Sequence, residues 1–284
     1  MQLAEFERME PLQIQAVIKE KVTRPLGVAM PFNGTRRWYL RTYNLLPEAM
    51  ETRFQDYSLK TRNRMYEIIE MLFEDGVTAL YTPSLGRALA ERGPEYMEFM
   101  AEAMALLADQ DSIAWYRRQK IWAGAYGELS LLPEHVQSKL DYLKQATREE
   151  NASRILRYGI FADKPAPDLI ARTIGLYHQL GAVPTEGQLI ESYYGAPPVE
   201  AMLWIGSDQP TVFDVPLVLN GNTALYFLQF PTLFLDRTTW RRLLYDFLFV
   251  RGDEETLYPE NITEARQITG LGIRRDGYWV PTTV

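Results

Sequence analysis

The chain has 284 residues, 46% of them hydrophobic and 12% aromatic, enough to bury the core of one sizeable domain. Its 37 acidic and 30 basic residues leave a formal charge of −7, which argues against a nucleic-acid partner and against docking on anionic lipid, since both need a basic face. Cysteine is absent, which excludes disulfides, thiolate nucleophiles and cysteine-ligated metals and leaves His135 and His178 as the only imidazoles.

The first strong element is an apolar run near 26–32, a strand candidate that leads into Pro31-Phe32-Asn33-Gly34-Thr35-Arg36-Arg37-Trp38. A buried strand that ends in a small polar turn and enters a helix presents free backbone N–H groups and a positive dipole end, and both favour an anion. Arginine suits that anion, because its planar fork binds phosphate oxygens bidentately and stays charged at any working pH. An Arg-Arg pair taken alone reads as solvated surface charge. After a strand and a glycine turn it also has the form of a diphosphate cradle, and the local residues leave both readings open.

Met65, Ile68, Ile69 and Leu72 then form a helical stripe, followed by a second strand candidate near 77–82. Met97, Met100, Met104 and Leu107 form another stripe, which reads as core or as the wall of a pocket for an irregular hydrocarbon. Runs near 121–126, 156–161, 201–206 and 223–230 complete the strand candidates, and most gaps between runs are long enough for a helix. Asp236 or Thr238 caps a last helix through Trp240, Leu243, Leu244, Phe247 and Leu248, in which Arg241 and Arg242 read as structural or interfacial.

This alternation predicts an α/β domain with a mostly parallel central sheet flanked by helices. In such sheets ligands sit beyond the carboxyl ends of the strands, where Asn33 to Arg37 fall. No linker, repeat or like-charge block divides the chain, so residues 1–284 are expected to form a single domain. No apolar stretch approaches the ~18 to 20 residues of a membrane span. The amino terminus, acidic at Glu5, Glu7 and Glu10, has no signal-peptide layout, so the expected location is the cytoplasm. Gly270-Leu271-Gly272 fails the dinucleotide fingerprint, and Walker, DDxxD and DxDD motifs are missing; Asp109-Gln110-Asp111-Ser112 is not a DxDD.

The segment around Asn33 to Trp38 resembles the first signature of cis-prenyltransferases, the undecaprenyl diphosphate synthase family, in which a strand runs into MDGNGRW. It is closer still to the FDGTRRW variant of a diterpene synthase group on the same fold, the tuberculosinol and kolavelool synthases. Similarity to that group continues in order through Met71 to Gly76, Arg92-Gly93 with Tyr96, Met104 to Ala108, Tyr193-Tyr194-Gly195, Phe213-Asp214, Thr223 to Phe227, Arg241 to Asp246 and Gly277-Tyr278-Trp279. The resemblance thus spans nearly the whole chain and implies the cis-prenyltransferase fold and a homodimer.

Departures from the pattern narrow the reaction. The second prenyltransferase signature, RTxGExRxSN, holds the isopentenyl diphosphate acceptor, whereas the corresponding stretch from Leu203 to Asp214 contains no arginine. Chain elongation is therefore not expected, and one substrate must suffice. An aspartate-rich patch of the diterpene synthase group aligns with Gly86 to Ala90 and is lost as well. Asn33 stands where both groups have aspartate, and an amide brings no negative charge to hold a hard cation. The resemblance implies Mg²⁺, arriving with the substrate diphosphate; the metal ligands stay unassigned.

By resemblance, the chain is a diterpene synthase that ionises a bicyclic diterpenyl diphosphate, kolavenyl first and tuberculosinyl next. Water capture of the allylic cation would give a tertiary alcohol, kolavelool or tuberculosinol. Arg36, Arg37, Thr35 and the Gly34 amide are assigned to the diphosphate, with Asn33 and Trp38 beside them. Tyr57, Tyr96 and Trp279 match aromatic active-site positions of the group, where ring faces attract a carbocation by roughly 0.5 to 2 kcal/mol each. A tyrosine could also hold the attacking water, with the pyrophosphate accepting the proton. The alternatives are a non-catalytic prenyltransferase-like subunit, suggested by Asn33 and the lost second signature, and a chain-elongating enzyme.

Overall fold

The structure, a computed structural model, describes residues 1–48, 52–87, 93–149 and 152–250, together with the backbone of 272–275 and 278–281. Six strands form one parallel sheet: β1 (Gly27–Ala29), β2 (Ala79–Leu85), β3 (Ile121–Gly127), β4 (Arg154–Ile160), β5 (Ala201–Ser207) and β6 (Ala224–Leu228). Their spatial order is β3-β4-β2-β1-β5-β6. Each of the six lies on one of the apolar runs, and helices cover both faces, which is why the strands read as near-continuous hydrophobic segments.

Alternation along each strand splits the core in two. Val28, Leu80, Leu203 and Ile205 face one cluster, while Ala29, Ala79, Tyr81, Ala201 and Trp204 face the other. β1 is central, with β2 on one side and β5 on the other, so the loop leaving β1 opens where the chain order changes direction.

The helices introduced here are α1 (Leu3–Phe6), α2 (Pro11–Lys21), α3 (Thr35–Thr42), α4 (Phe54–Glu74), α5 (Pro94–Ala105), α6 (Gln110–Arg118), α7 (Glu134–Ala146), α8 (Ala166–Leu180), α9 (Glu186–Tyr194) and α10 (Arg237–Tyr245). The long helix α4 buries Ile68, Ile69 and Leu72 in the core, and a 3₁₀ turn over Leu106–Ala108 extends α5. At α10 the cap is Asp236, whose carboxylate accepts the Thr239 N–H at 2.7 Å. Arg241 and Arg242 are structural. Arg241 is buried and donates to both oxygens of the fully buried Asp75 at 3.0 Å, and to the carbonyls of Glu7 and Met9 at 2.9 and 2.6 Å. This joins α10, the end of α4 and the amino-terminal segment. Arg242 pairs with Glu7.

Helix α8 has no buried residue and exposes Ile170, Ile174 and Tyr177. Strands β7 (Gly272–Arg275) and β8 (Tyr278–Pro281) form an antiparallel ribbon in which Arg274 opposes Trp279. The Trp279 side chain lies outside the described residues, as do Arg92, Gly277 and Gly270-Leu271. Among the described residues, no helix is long and apolar enough to cross a membrane.

Candidate active site

After β1 the chain extends the ladder by one bond, Met30 N–H to the Tyr81 carbonyl at 2.8 Å, and then turns through Asn33 and Gly34 into α3. Gly34 is the N-cap residue with φ 72° and ψ 22°, in the left-handed region. Glycine is required there twice over. A β-carbon would be strained at that φ and would stand 2.9 Å from Pro231 Cβ and 2.8 Å from Arg37 Nη2. The loop is anchored by Thr232, whose N–H and hydroxyl both donate to the Asn33 carbonyl at 3.2 Å. The Trp38 N–H makes the first helical bond, to the Gly34 carbonyl at 2.9 Å, and no side chain caps the amino end of α3. Its leading N–H groups are thereby left for a ligand.

A cavity of about 420 Å³ opens beside this loop. Its lining combines the polar Asn33, Gly34, Thr35, Arg36 and Asp208 with the apolar Met65, Met100, Met104 and Leu107 and the phenols of Tyr57 and Tyr96. The methionine stripe is therefore both core and pocket wall: Met104 and Leu107 are buried in the main cluster and also face the cavity. Thr35 Oγ1 and the Tyr57 hydroxyl share a hydrogen bond of 2.7 Å. Burial pushes the Tyr57 hydroxyl above the ordinary phenol range, outweighing the Thr35 bond and the nearby Arg36 charge, so Tyr57 stays protonated.

The two arginines part company. Arg36 lines the cavity, makes one long 3.5 Å contact with the Pro47 carbonyl and enters no ion pair among the described residues. Arg37 pairs with Asp208, which follows β5, and is not among the lining residues. Trp38 is buried in the core, edge-on to Tyr43, and likewise stands off the cavity. The structure thus brings together Asn33, Gly34, Thr35, Arg36, Tyr57 and Tyr96; Arg37 joins them only through its pair with Asp208, and Trp38 is not among the lining residues.

Among the lining residues that sequence reasoning missed are Ser58, Thr61 and Arg62, all on α4 and all buried. Their signal was the spacing i, i+3, i+4, which places them on one helical face beside Met65. It also missed Asp208, the one carboxylate among the lining residues. No group of three or more His, Asp or Glu among the described residues is placed to hold a metal ion. One carboxylate and the Asn33 amide suit a Mg²⁺ that arrives chelated by substrate phosphates, the usual mode for that ion.

A second polar group lies at the same edge of the sheet. Arg87 pairs with Glu128 and, at 2.9 Å, with Asp163. Burial first, and the Asp163 charge second, push the Asp214 carboxyl up to about 6 against the partial relief of Arg87.

No family model matches the chain. It is 29% identical to tuberculosinyl adenosine transferase of Mycobacterium tuberculosis (strain CDC 1551 / Oshkosh), across 90% of each protein. It is 25% identical to (+)-kolavelool synthase of Herpetosiphon aurantiacus, across 80% of this chain and 81% of that one. Among solved structures, lavandulyl diphosphate synthase from Lavandula x intermedia, in complex with dimethylallyl diphosphate, superposes with a TM-score of 0.63 at 16% identity, covering 79% of this chain and 95% of that one. A probable undecaprenyl diphosphate synthase from Campylobacter jejuni gives 0.57 at 15% identity, covering 80% and 95%. The six-stranded parallel sheet is a cis-prenyltransferase fold, and over most of its length the chain resembles tuberculosinyl adenosine transferase and kolavelool synthase.

Proposed function

We propose that residues 1–284 act as one catalytic domain, an enzyme on prenyl diphosphates, and more narrowly a diterpene synthase that converts a bicyclic diterpenyl diphosphate, kolavenyl before tuberculosinyl, to a tertiary alcohol. The observation that carries this reading is the joining of two opposite chemistries in one cavity. Its lining joins the uncapped end of α3 and Arg36 to methionine, leucine and aromatic surface. A molecule with an anionic head and a hydrocarbon body fits that division.

Ionisation breaks the bond between the allylic carbon and the bridging oxygen, and the electron pair leaves on the diphosphate. Arg36 and the N–H groups of Gly34 and Thr35 meet the charge that develops there, in a site where donors are already in place. Tyr57 and Tyr96 present rings to the cation left behind. A water oxygen then forms the new C–O bond at the tertiary allylic carbon, and its proton passes to the departed diphosphate. Mg²⁺ bound by that diphosphate would meet Asp208 and the Asn33 amide and would neutralise part of the leaving-group charge.

A second diphosphate finds no comparable site among the described residues. The stretch from Leu203 to Asp214 carries no arginine, and Arg87, the nearby cation, is engaged by Glu128 and Asp163. Gas-chromatographic analysis after incubation with linear and bicyclic diterpenyl diphosphates, with and without isopentenyl diphosphate, tests the reading. The expected result is alcohol and free diphosphate from a bicyclic substrate alone. Longer prenyl diphosphates on adding isopentenyl diphosphate would overturn it.

A further inference from the structure

Ser58 Oγ, Thr61 Oγ1 and Arg62 Nε are buried polar atoms with no hydrogen-bond partner among the described residues, and all three side chains line the cavity. Each residue is less than a tenth exposed. A buried donor or acceptor left unpaired costs on the order of the full desolvation of that group, so three on one helical face is not a neutral arrangement. Helical Ser and Thr usually satisfy themselves by bonding the carbonyl four residues back. Elsewhere in this chain they do so: Ser138 bonds the Glu134 carbonyl at 3.0 Å, Thr147 that of Leu143 at 2.8 Å and Thr173 that of Leu169 at 2.7 Å. Ser58 and Thr61 make no such bond.

Arg62 differs from Arg36 in charge balance. Its Nη1 is bonded to Asp109 and lies 3.4 Å from Ser112 Oγ, while its buried Nε has no partner among the described residues. Burial pushes the Asp109 carboxyl up, but the Ser112 hydroxyl and amide, with the Arg62 charge, outweigh that and hold it below its usual value. The wall therefore offers hydroxyls and one N–H from a guanidinium whose charge is paired with Asp109, which suits a neutral oxygen ligand better than a diphosphate.

We propose that Ser58, Thr61 and Arg62 form a water-binding subsite that holds the attacking nucleophile beside the allylic carbon. Buried waters make about three hydrogen bonds to groups otherwise unsatisfied, the number of groups this face leaves open. The water donates to Ser58 Oγ and Thr61 Oγ1 and accepts from Arg62 Nε–H; its remaining lone pair forms the C–O bond, and the proton the oxygen then sheds passes to the departed diphosphate. Position supports the role: Thr61 and Arg62 lie about one helical turn, roughly 5.4 Å, along α4 from Tyr57, which is bonded to Thr35 of the loop assigned to the diphosphate. A substrate whose diphosphate sits at that loop places its allylic carbons at that distance. Without the held water, the cation gives up a proton from an adjacent carbon to the diphosphate and ends as an alkene.

This inference rests on the proposed diphosphate ionisation, and its test separates the two. Ser58→Ala, Thr61→Val and Arg62→Lys, the last keeping a cation for Asp109 while removing Nε, are assayed for free diphosphate and for the alcohol-to-alkene ratio. Diphosphate release should fall less than alcohol formation, so that the ratio drops roughly tenfold, about the effect of one hydrogen bond. Thr61→Ser should restore it, and Ser138→Ala, a surface control on α7, should change neither quantity. Diphosphate and alcohol falling together at a constant ratio would assign the wall to the diphosphate and overturn the proposal, as would three variants that match the wild type. A wild-type protein that releases no diphosphate from any bicyclic substrate would overturn the underlying reading and this inference with it.

Discussion

The Thr35 hydroxyl and the Tyr57 hydroxyl lie 2.7 Å apart, so one hydrogen bond ties the first residue of α3 to the start of α4 at the cavity lining. The Tyr57 hydroxyl is thereby committed to the loop rather than to a water. Tyr57→Phe keeps the ring and loses the bond, and a neutral hydrogen bond contributes roughly 0.5 to 1.5 kcal/mol. Turnover should fall about 2- to 10-fold with the ratio of alcohol to alkene unchanged. A shifted ratio in product analysis would return Tyr57 to the water.

Arg241 and Asp75 form a buried two-point ion pair, 4% and 0% exposed at the side chain. Removing one partner of such a pair typically costs about 3 to 5 kcal/mol, because the other charge stays buried with its pairing cut back. Arg241→Met should lose about that much stability in urea unfolding. A loss below about 1 kcal/mol would mean that the bond Asp75 already accepts from Arg237, at 3.2 Å, is enough to hold its charge.

The raised Asp214 carboxyl has a signature in stability against pH. Burial pushes it up to about 6 in the folded chain from an ordinary value of 3.8, so between those values the folded state binds more protons than the unfolded one. Stability from this group is therefore present at low pH and is lost as pH rises through 6. Asp214→Asn should flatten the pH dependence of Tm between about 4 and 6 and exceed the wild type above that window. Asp214 has φ 57°, a conformation that asparagine tolerates, so the backbone is kept. Parallel Tm curves for variant and wild type would remove Asp214 as the source.

Asn33 lines the cavity where a carboxylate would add a hard ligand. Asn33→Asp should make turnover depend more steeply on Mg²⁺, read as a lower half-saturating concentration in a titration with EDTA-treated protein. An unchanged titration would place the ion away from residue 33.

The sheet was legible because strands buried on both faces leave continuous apolar runs, and all six appear where the runs lie. The start of β4 was the exception. The apolar run begins near 156, while pairing begins at Arg154, opposite Ile121. Arg157 further hides the strand, since it is fully buried with its guanidinium bonded to the carbonyls of Trp122, Leu156, Tyr194 and Gly195. The glycine turn and Arg36 were legible as a cradle because a local motif creates that geometry. Arg37 was not separable from Arg36, because its partner Asp208 lies 171 residues away in sequence. Ser58, Thr61 and Arg62 read as ordinary polar helix positions until α5 supplies the opposite wall that makes their face an interior one.

Arg36 is the donor on which the diphosphate site depends, so turnover of Arg36→Ala tests that site most directly. Deleting one donor to a developing oxyanion costs about 3 to 4 kcal/mol, or 10² to 10³ in rate. Arg37→Ala is expected to lose less, since Asp208 already balances that charge. The measurement is diphosphate release from a bicyclic diterpenyl diphosphate by wild type and Arg36→Ala, each shown to be folded by circular dichroism. A fall of 10² to 10³ in Arg36→Ala, partly rescued by lysine, is the expected result. Near-normal release by the folded variant would contradict it and place the diphosphate elsewhere.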